Sequence, residues 1–159
     1  MGFGTGHHAT TRLCLAALQA IDLANASVVD VGTGSGILAI AAARLGATSV
    51  LGLDNDEDAI RSAVENRALN SGLEHVRFEL GDLSRPPLPP ADVVIANLTG
   101  ALLMRSAATL LEHVRPAGRL IVSGLQQYER PSVAAAFEGV RILSDATEDD
   151  WVCLSFDRA

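Results

Sequence analysis

Seven consecutive residues, Asp30-Val31-Gly32-Thr33-Gly34-Ser35-Gly36, place three glycines and two hydroxyl side chains directly behind a short apolar run that starts at Val28. Glycine accepts left-handed backbone and lets main-chain N–H groups come close to a ligand, so such a turn after a first parallel strand forms a cofactor cradle. Asp54 follows Gly32 by 22 residues, at the end of the next apolar run, where a carboxylate can accept both hydroxyls of a ribose. Turn and acid together indicate a nucleoside-containing cofactor, with Gly32, Thr33, Gly34, Gly36, Asp54 and its neighbour Asn55 as contacts.

Two cofactor classes compete for this pattern, a dinucleotide and S-adenosyl-L-methionine. The pyrophosphate fingerprint is G-x-G-x-x-G, whereas this turn reads G-x-G-x-G with Ile37 at the expected third glycine. Asp30 separates the two further. A carboxylate roughly 6 Å from a pyrophosphate repels it by about 3 kcal/mol per charge pair at an effective dielectric near 20, while the same carboxylate favours an ammonium and a sulfonium. Asp30 is therefore a cofactor-binding residue on this reading. No Gly-Lys-Ser/Thr phosphate loop is present.

Four further groups are chemically suggestive. Asp82, in Gly81-Asp82-Leu83, either accepts a hydrogen bond from the exocyclic amine of an adenine or is a solvated loop acid. Asn97 closes an apolar run; its carbonyl oxygen either orients an N–H of an attacking amine or its amide caps the next helix. An amine must attack through its lone pair, so a lysine with a free pKa near 10.4 has to lose a proton, whereas an α-amine near 7.7 is largely ready. His7 and His8 lack metal-ligand spacing, and His8 is read either as a proton acceptor or as a structural residue.

The elements that must hold these groups follow from periodicity. Apolar residues Leu13, Ala16, Ala17, Ala20 and Ile21 predict a helix from His8 to Leu23, with Thr10 or Thr11 as its cap. Strands are expected at Val28–Val31, Ser49–Leu53, Val76–Leu80, Asp92–Ala96 and Arg119–Ser123. Helices are expected from Ile37 to Leu45, after Asp56 with a stripe of Ile60, Ala63, Val64 and Ala68, after Asn97 with Leu103, Ala107, Leu110, Leu111 and Val114, and over Val133–Phe137. Pro116 reads as the stop of the fourth helix. The segment Ser84–Ala91 holds four of the six prolines and is expected to be a stiff loop. Two strands close the chain, Val140–Leu143 and Trp151–Phe156, joined by an acidic turn from Asp145 to Asp150. Strands alternating with helices predict an α/β, doubly wound, mostly parallel sheet with helices on both faces.

Composition sets the outer bounds. The chain has 159 residues, 48% of them apolar, enough to supply a core. Twelve basic and nineteen acidic residues give a net charge of −7, so nucleic acid and anionic lipid are not expected partners. All twelve basic residues are arginines, which removes a lysine nucleophile or Schiff base. Cys14 and Cys153 have no CxxC neighbours and predict neither a disulfide framework nor a zinc site; Cys14 is expected in the core, and Trp151 in the core or at a substrate mouth. No apolar run reaches a membrane span and no signal segment is visible, so a cytoplasmic location is expected.

Taken together, Gly4-Thr5-Gly6-His7-His8-Ala9-Thr10-Thr11, the Asp30–Ile40 turn, Asn97-Leu98 and Asp150-Trp151-Val152 resemble the catalytic domain of the ribosomal protein L11 methyltransferase family. The resemblance implies a seven-stranded class I S-adenosyl-L-methionine-dependent methyltransferase fold whose last strand is antiparallel and inserted beside the fifth. It implies Thr11, Gly32, Asp54 and Asn97 as cofactor or site contacts, His8 as part of a lid, and amino groups of a ribosomal protein as acceptors. Residues 1–159 are accordingly expected to form one methyltransferase domain. Residues 1–25 would carry the first motif and helix, without a separate substrate-recognition domain. Small-molecule methyl transfer, and cofactor binding without catalysis, are the alternatives.

Overall fold

The computed structural model describes residues 4–83 and 89–159, with side chains from Ala9 onward. The side chain of His8 and residues 84–88 of the proline segment lie outside the described residues. Seven strands, β1 (Ser27–Val31), β2 (Ser49–Asp54), β3 (Val76–Leu80), β4 (Ala91–Asn97), β5 (Val114–Gln126), β6 (Arg141–Glu148) and β7 (Trp151–Asp157), form one sheet in the order β3-β2-β1-β4-β5-β7-β6. The five strands from β3 to β5 are mutually parallel, and β7 runs antiparallel to β5 and β6 on either side of it. This is the doubly wound sheet expected from the alternation of elements, with its last strand inserted beside the fifth.

Side chains alternate across a strand, so each strand feeds two cores. Val28, Val50, Val93, Ile95 and Ile121 pack with α1 (Gly4–Gln19) and α2 (Ile37–Arg44) on one face. Their neighbours Val29, Leu51, Val94 and Val122 pack on the other face with α4 (Gly100–Glu112) and α5 (Arg130–Ala136). The central strands are buried on both faces, which explains why they read as unbroken apolar runs. α3 (Glu57–Ala68) begins with Asp56 accepting a hydrogen bond from the Asp58 N–H, and its acidic first turn suits the positive end of the helix dipole.

Several expectations are corrected. α1 starts at Gly4, so Thr10 and Thr11 stand inside the helix and not at its cap. Its buried face is Ala9, Thr10, Leu13, Cys14 and Leu18, while Ala16 and Ala20 are exposed. In α3 only Ala63 is buried; Val64 and Ala68 face solvent. Ala63 is held there by polar neighbours, since Asn66 donates to the Ser35 carbonyl at 2.9 Å and Arg67 to the Val76 carbonyl at 2.7 Å. Pro116 does not end a helix: it lies in β5, within the stretch where the β4–β5 register shifts, so its missing N–H interrupts no ladder bond. The acidic segment is mostly strand. Asp145 and Glu148 belong to β6 and pair with Arg130 and Arg12 respectively, leaving only Asp149 and Asp150 in the turn, both with positive φ.

Candidate functional site

The chain leaves β1 toward β2 and returns from β3 to lay β4 on the other side of β1. In such a sheet a crevice opens beyond the carboxyl ends of the strands at the point of reversal. A cavity of about 810 Å³ lies there, lined by the glycine turn, the ends of β2 and β4, and one side of α4.

Asp54 organises its floor. The Gly32 and Thr33 N–H groups both donate to the Leu53 carbonyl at 2.8 Å. The Gly34 N–H donates to Asp54 Oδ2 at 2.9 Å, and the Asp56 N–H to Asp54 Oδ1 at 3.0 Å. Each carboxylate oxygen thus uses one acceptor site on the main chain and keeps others for a ligand. Gly32 has φ +73°, and a Cβ there would stand 2.6 Å from the Leu98 side chain. Gly36 serves packing instead. A Cβ on it would meet the Phe78 ring at 2.7 Å, and it does not line the cavity.

Asp30 lies beneath the turn and is only 1% exposed. The Thr33 hydroxyl donates to its Oδ2 at 2.8 Å, while Oδ1 has no hydrogen-bond partner. Burial pushes this carboxyl up to about 7, opposed by the Thr33 bond, reinforced by the nearby charge of Asp54 and opposed again by the Ala39 N–H. That N–H favours the charge without completing a hydrogen bond to Oδ1. The close approach of Thr33 depends on Gly52 in β2, where a Cβ would fall 2.6 Å from the Thr33 hydroxyl oxygen.

Asn97 ends β4, paired in register with Ser123 of β5. Its Nδ2 donates to the Thr10 hydroxyl at 3.3 Å, and its Oδ1 is buried without a partner. It does not cap α4, because Thr99 does so by accepting from the Leu102 N–H. Thr11, Asn55 and Asp82 also line the cavity with Gly32, Thr33, Gly34, Asp54 and Asn97, so the structure gathers eight of the expected residues around one cavity. Asp30 and Gly36 stand behind it, and His8 lies outside the described side chains. Cys14 and Cys153, remote in sequence, meet in the core between α1 and β7, where the Cys153 thiol and burial push the Cys14 thiol well above its usual range. Trp151 is half-buried against the same core.

One wall escaped the sequence reading. Leu102, Arg105, Ser106 and Thr109 of α4 face the cavity, at the three- and four-residue spacing of a second helical stripe beside Leu103, Ala107 and Leu110. Three of the four are polar, so apolar periodicity does not mark this stripe.

Residues 1–159 match the sequence profile of the family described as ribosomal protein L11 methyltransferase (PrmA). The chain belongs to the ribosomal protein L11 methyltransferase family. It is 45% identical over 153 residues to the ribosomal protein L11 methyltransferase of Azotobacter vinelandii, covering 96% of this chain and 52% of that protein. It is 41% identical over 156 residues to that of Exiguobacterium sibiricum, covering 97% and 50%. The chain therefore spans about half the length of the curated family members it matches. A crystal structure of ribosomal protein L11 methylase from Lactobacillus delbrueckii subsp. bulgaricus superposes with a TM-score of 0.90 at 32% identity, covering 96% of this chain and 80% of that one. An RNA methyltransferase from Salinibacter ruber, in complex with S-adenosyl-L-homocysteine, shares the fold at 18% identity with a TM-score of 0.74, covering 92% and 90%. The fold is thus the Rossmann-like one of class I methyltransferases. None of the helices among the described residues is long and apolar enough to cross a membrane.

Proposed function

We propose that residues 1–159 act as one methyltransferase domain that transfers methyl groups from S-adenosyl-L-methionine to amino groups of a protein, ribosomal protein L11. One observation carries the reading: Asn97 Oδ1, a buried oxygen of a residue that lines the cavity, has no hydrogen-bond partner. An unpaired buried acceptor costs about 1–3 kcal/mol, so this oxygen is suited to a hydrogen-bond donor supplied from outside the chain. An acceptor amine brings such a donor, and the carboxyl of Asp30 behind the cavity suits a cationic cofactor better than a pyrophosphate.

When bound, S-adenosyl-L-methionine supplies a methyl carbon on a positive sulfur, and the nitrogen lone pair makes the new N–C bond as the C–S bond breaks onto sulfur, leaving S-adenosyl-L-homocysteine. Asp54 offers the free acceptor sites of its two oxygens to ribose hydroxyls, with Asn55 beside it. Asp82, which lines the cavity, accepts from an adenine amine on this reading, and Gly32, Thr33, Gly34 and Thr11 give close walls. Asp30 contributes negative charge beneath the turn. Asn97 Oδ1 accepts an N–H of the neutral acceptor amine and so aims its lone pair. No covalent catalyst is needed for an in-line displacement, where orientation and exclusion of water do the work. The reaction belongs in the cytoplasm, where ribosomal proteins are made.

Calorimetry and mass spectrometry test this reading. S-adenosyl-L-methionine is expected to bind while NAD does not, and excess ribosomal protein L11 is expected to gain mass in steps of one methyl. Binding of NAD would overturn the cofactor assignment, and cofactor binding with no methylated product would overturn the acceptor.

A further inference from the structure

Thr10 is fully buried in α1 and is absent from the cavity wall, so it touches neither cofactor nor acceptor. It faces Asn97 from behind: the Asn97 amide nitrogen donates to the Thr10 hydroxyl oxygen at 3.3 Å, and Asn97 Oδ1 is left unpaired. An asparagine side chain is nearly symmetric in shape, and rotation by half a turn exchanges its acceptor for a donor. With the amide reversed, an N–H would confront the N–H of an incoming amine. A helical threonine hydroxyl characteristically gives its hydrogen to a main-chain carbonyl one turn earlier, which leaves lone pairs as the feature presented to its neighbour. Such a hydroxyl favours the amide nitrogen over the amide oxygen.

We propose that Thr10 is a positioning residue: its buried hydroxyl fixes the orientation of the Asn97 amide so that Oδ1, not Nδ2, meets the acceptor nitrogen. The inference rests on the reading that an amine is methylated beside Asn97. It carries a chemical signature. A neutral primary amine has two N–H bonds and a monomethylated one has one, but a neutral dimethylamine group has none for Asn97 to accept. Thr10 therefore matters for the first two transfers and not for a third.

The test compares Thr10→Val, of equal shape but without the hydroxyl, with Thr10→Ser, which keeps it. The acceptors are ribosomal protein L11 and the same protein after reductive dimethylation of its amines. In Thr10→Val the first transfer slows about two- to tenfold, the span of a single hydrogen bond, while cofactor affinity stays within about twofold and transfer to the dimethylated protein is unchanged. Thr10→Ser restores the first transfer. Nitrogen-15 NMR of the Asn97 side-chain amide, assigned by its loss in Asn97→Asp, reads the same contact without an acceptor. Its protons are protected from exchange in the unsubstituted protein and in Thr10→Ser, and lose protection in Thr10→Val. Equal protection in Thr10→Val, or an equal slowing on primary and dimethylated amines, overturns the proposal. If the unsubstituted protein methylates nothing in L11, the acceptor assignment falls, and the amide protection still decides the role of Thr10.

Discussion

Replacing Asp30 by asparagine should make the cofactor-free protein more stable in base while weakening its hold on the cofactor. The carboxyl has an ordinary value of 3.8 and is pushed up to about 7 by burial. Below about pH 4 it is protonated in the folded and unfolded chains alike and contributes nothing. Between the two values the unfolded chain gives up the proton and the folded chain keeps it, so stability falls as pH rises, and above about pH 7 the loss is constant. At about 1.36 kcal/mol per unit, the full displacement corresponds to about 4 kcal/mol, of which about 2–3 kcal/mol develops between pH 5 and pH 8. An asparagine is neutral throughout and can still accept the Thr33 hydroxyl through its carbonyl oxygen. Its amide nitrogen replaces the unpartnered oxygen and costs about 1 kcal/mol or more if unpaired. Urea unfolding of both proteins at pH 5, 6.5 and 8 gives the difference directly, with other titrating groups cancelling. The variant should gain about 2–3 kcal/mol on the parent across that range; a difference that stays flat would show that Asp30 is ionised in the folded protein throughout, against a raised carboxyl.

Asp54→Ala removes the acceptors offered to the ribose and should weaken S-adenosyl-L-methionine by about 1.5–3 kcal/mol in calorimetry, the scale of hydrogen bonds to a charged group. Asn97→Ala should lower turnover of methylated product more than it lowers cofactor affinity if, as proposed, its unpaired oxygen meets the acceptor; equal losses in both would remove the orienting role. Gly52→Ala drives a Cβ against the Thr33 hydroxyl and the Phe78 ring, each 2.6 Å away. It should cost about 1–3 kcal/mol in thermal unfolding and, by loosening the bond that favours the Asp30 charge, steepen the fall of stability between pH 5 and pH 8.

The parts of the molecule governed by local pattern were legible in the chain. β1, the glycine turn and the spacing to Asp54 are set by runs of neighbouring residues, and their places in the structure are those expected. What failed depended on partners distant in sequence. The first helix is expected to begin at His8, yet α1 begins at Gly4, and tertiary packing of Ala9, Leu13 and Leu18 outweighs the weak helix propensity of glycine and threonine. Val64 and Ala68 fit an apolar stripe, but Asn66 and Arg67 anchor α3 through hydrogen bonds that periodicity does not register. Within the site, Asp54 and Asn97 were expected by type and position, and both line the cavity. Gly52 was not, because its reason for being glycine is a hydroxyl nineteen residues earlier, and the cavity side of α4 was missed because it is polar.

Strand order sets the timetable by which the site comes into being. β7 is made after the other six strands but is laid between β5 and β6, and α1, made before all seven, packs on β5 and β7. Leu13, Cys14 and Leu18 share a core with Cys153, and Arg12 meets Glu148 at the end of β6. Contacts between segments this far apart along a chain close slowly, since the loop entropy is lost before they form. A nascent chain that has passed β4 already possesses the glycine turn and Asp54, whereas the bed on which α1 rests waits for residue 157. Thr10 can settle against Asn97 only after that. A ribosome stalled between β5 and β7 should therefore display a chain with the glycine turn and Asp54 formed and the Asn97 amide still unheld.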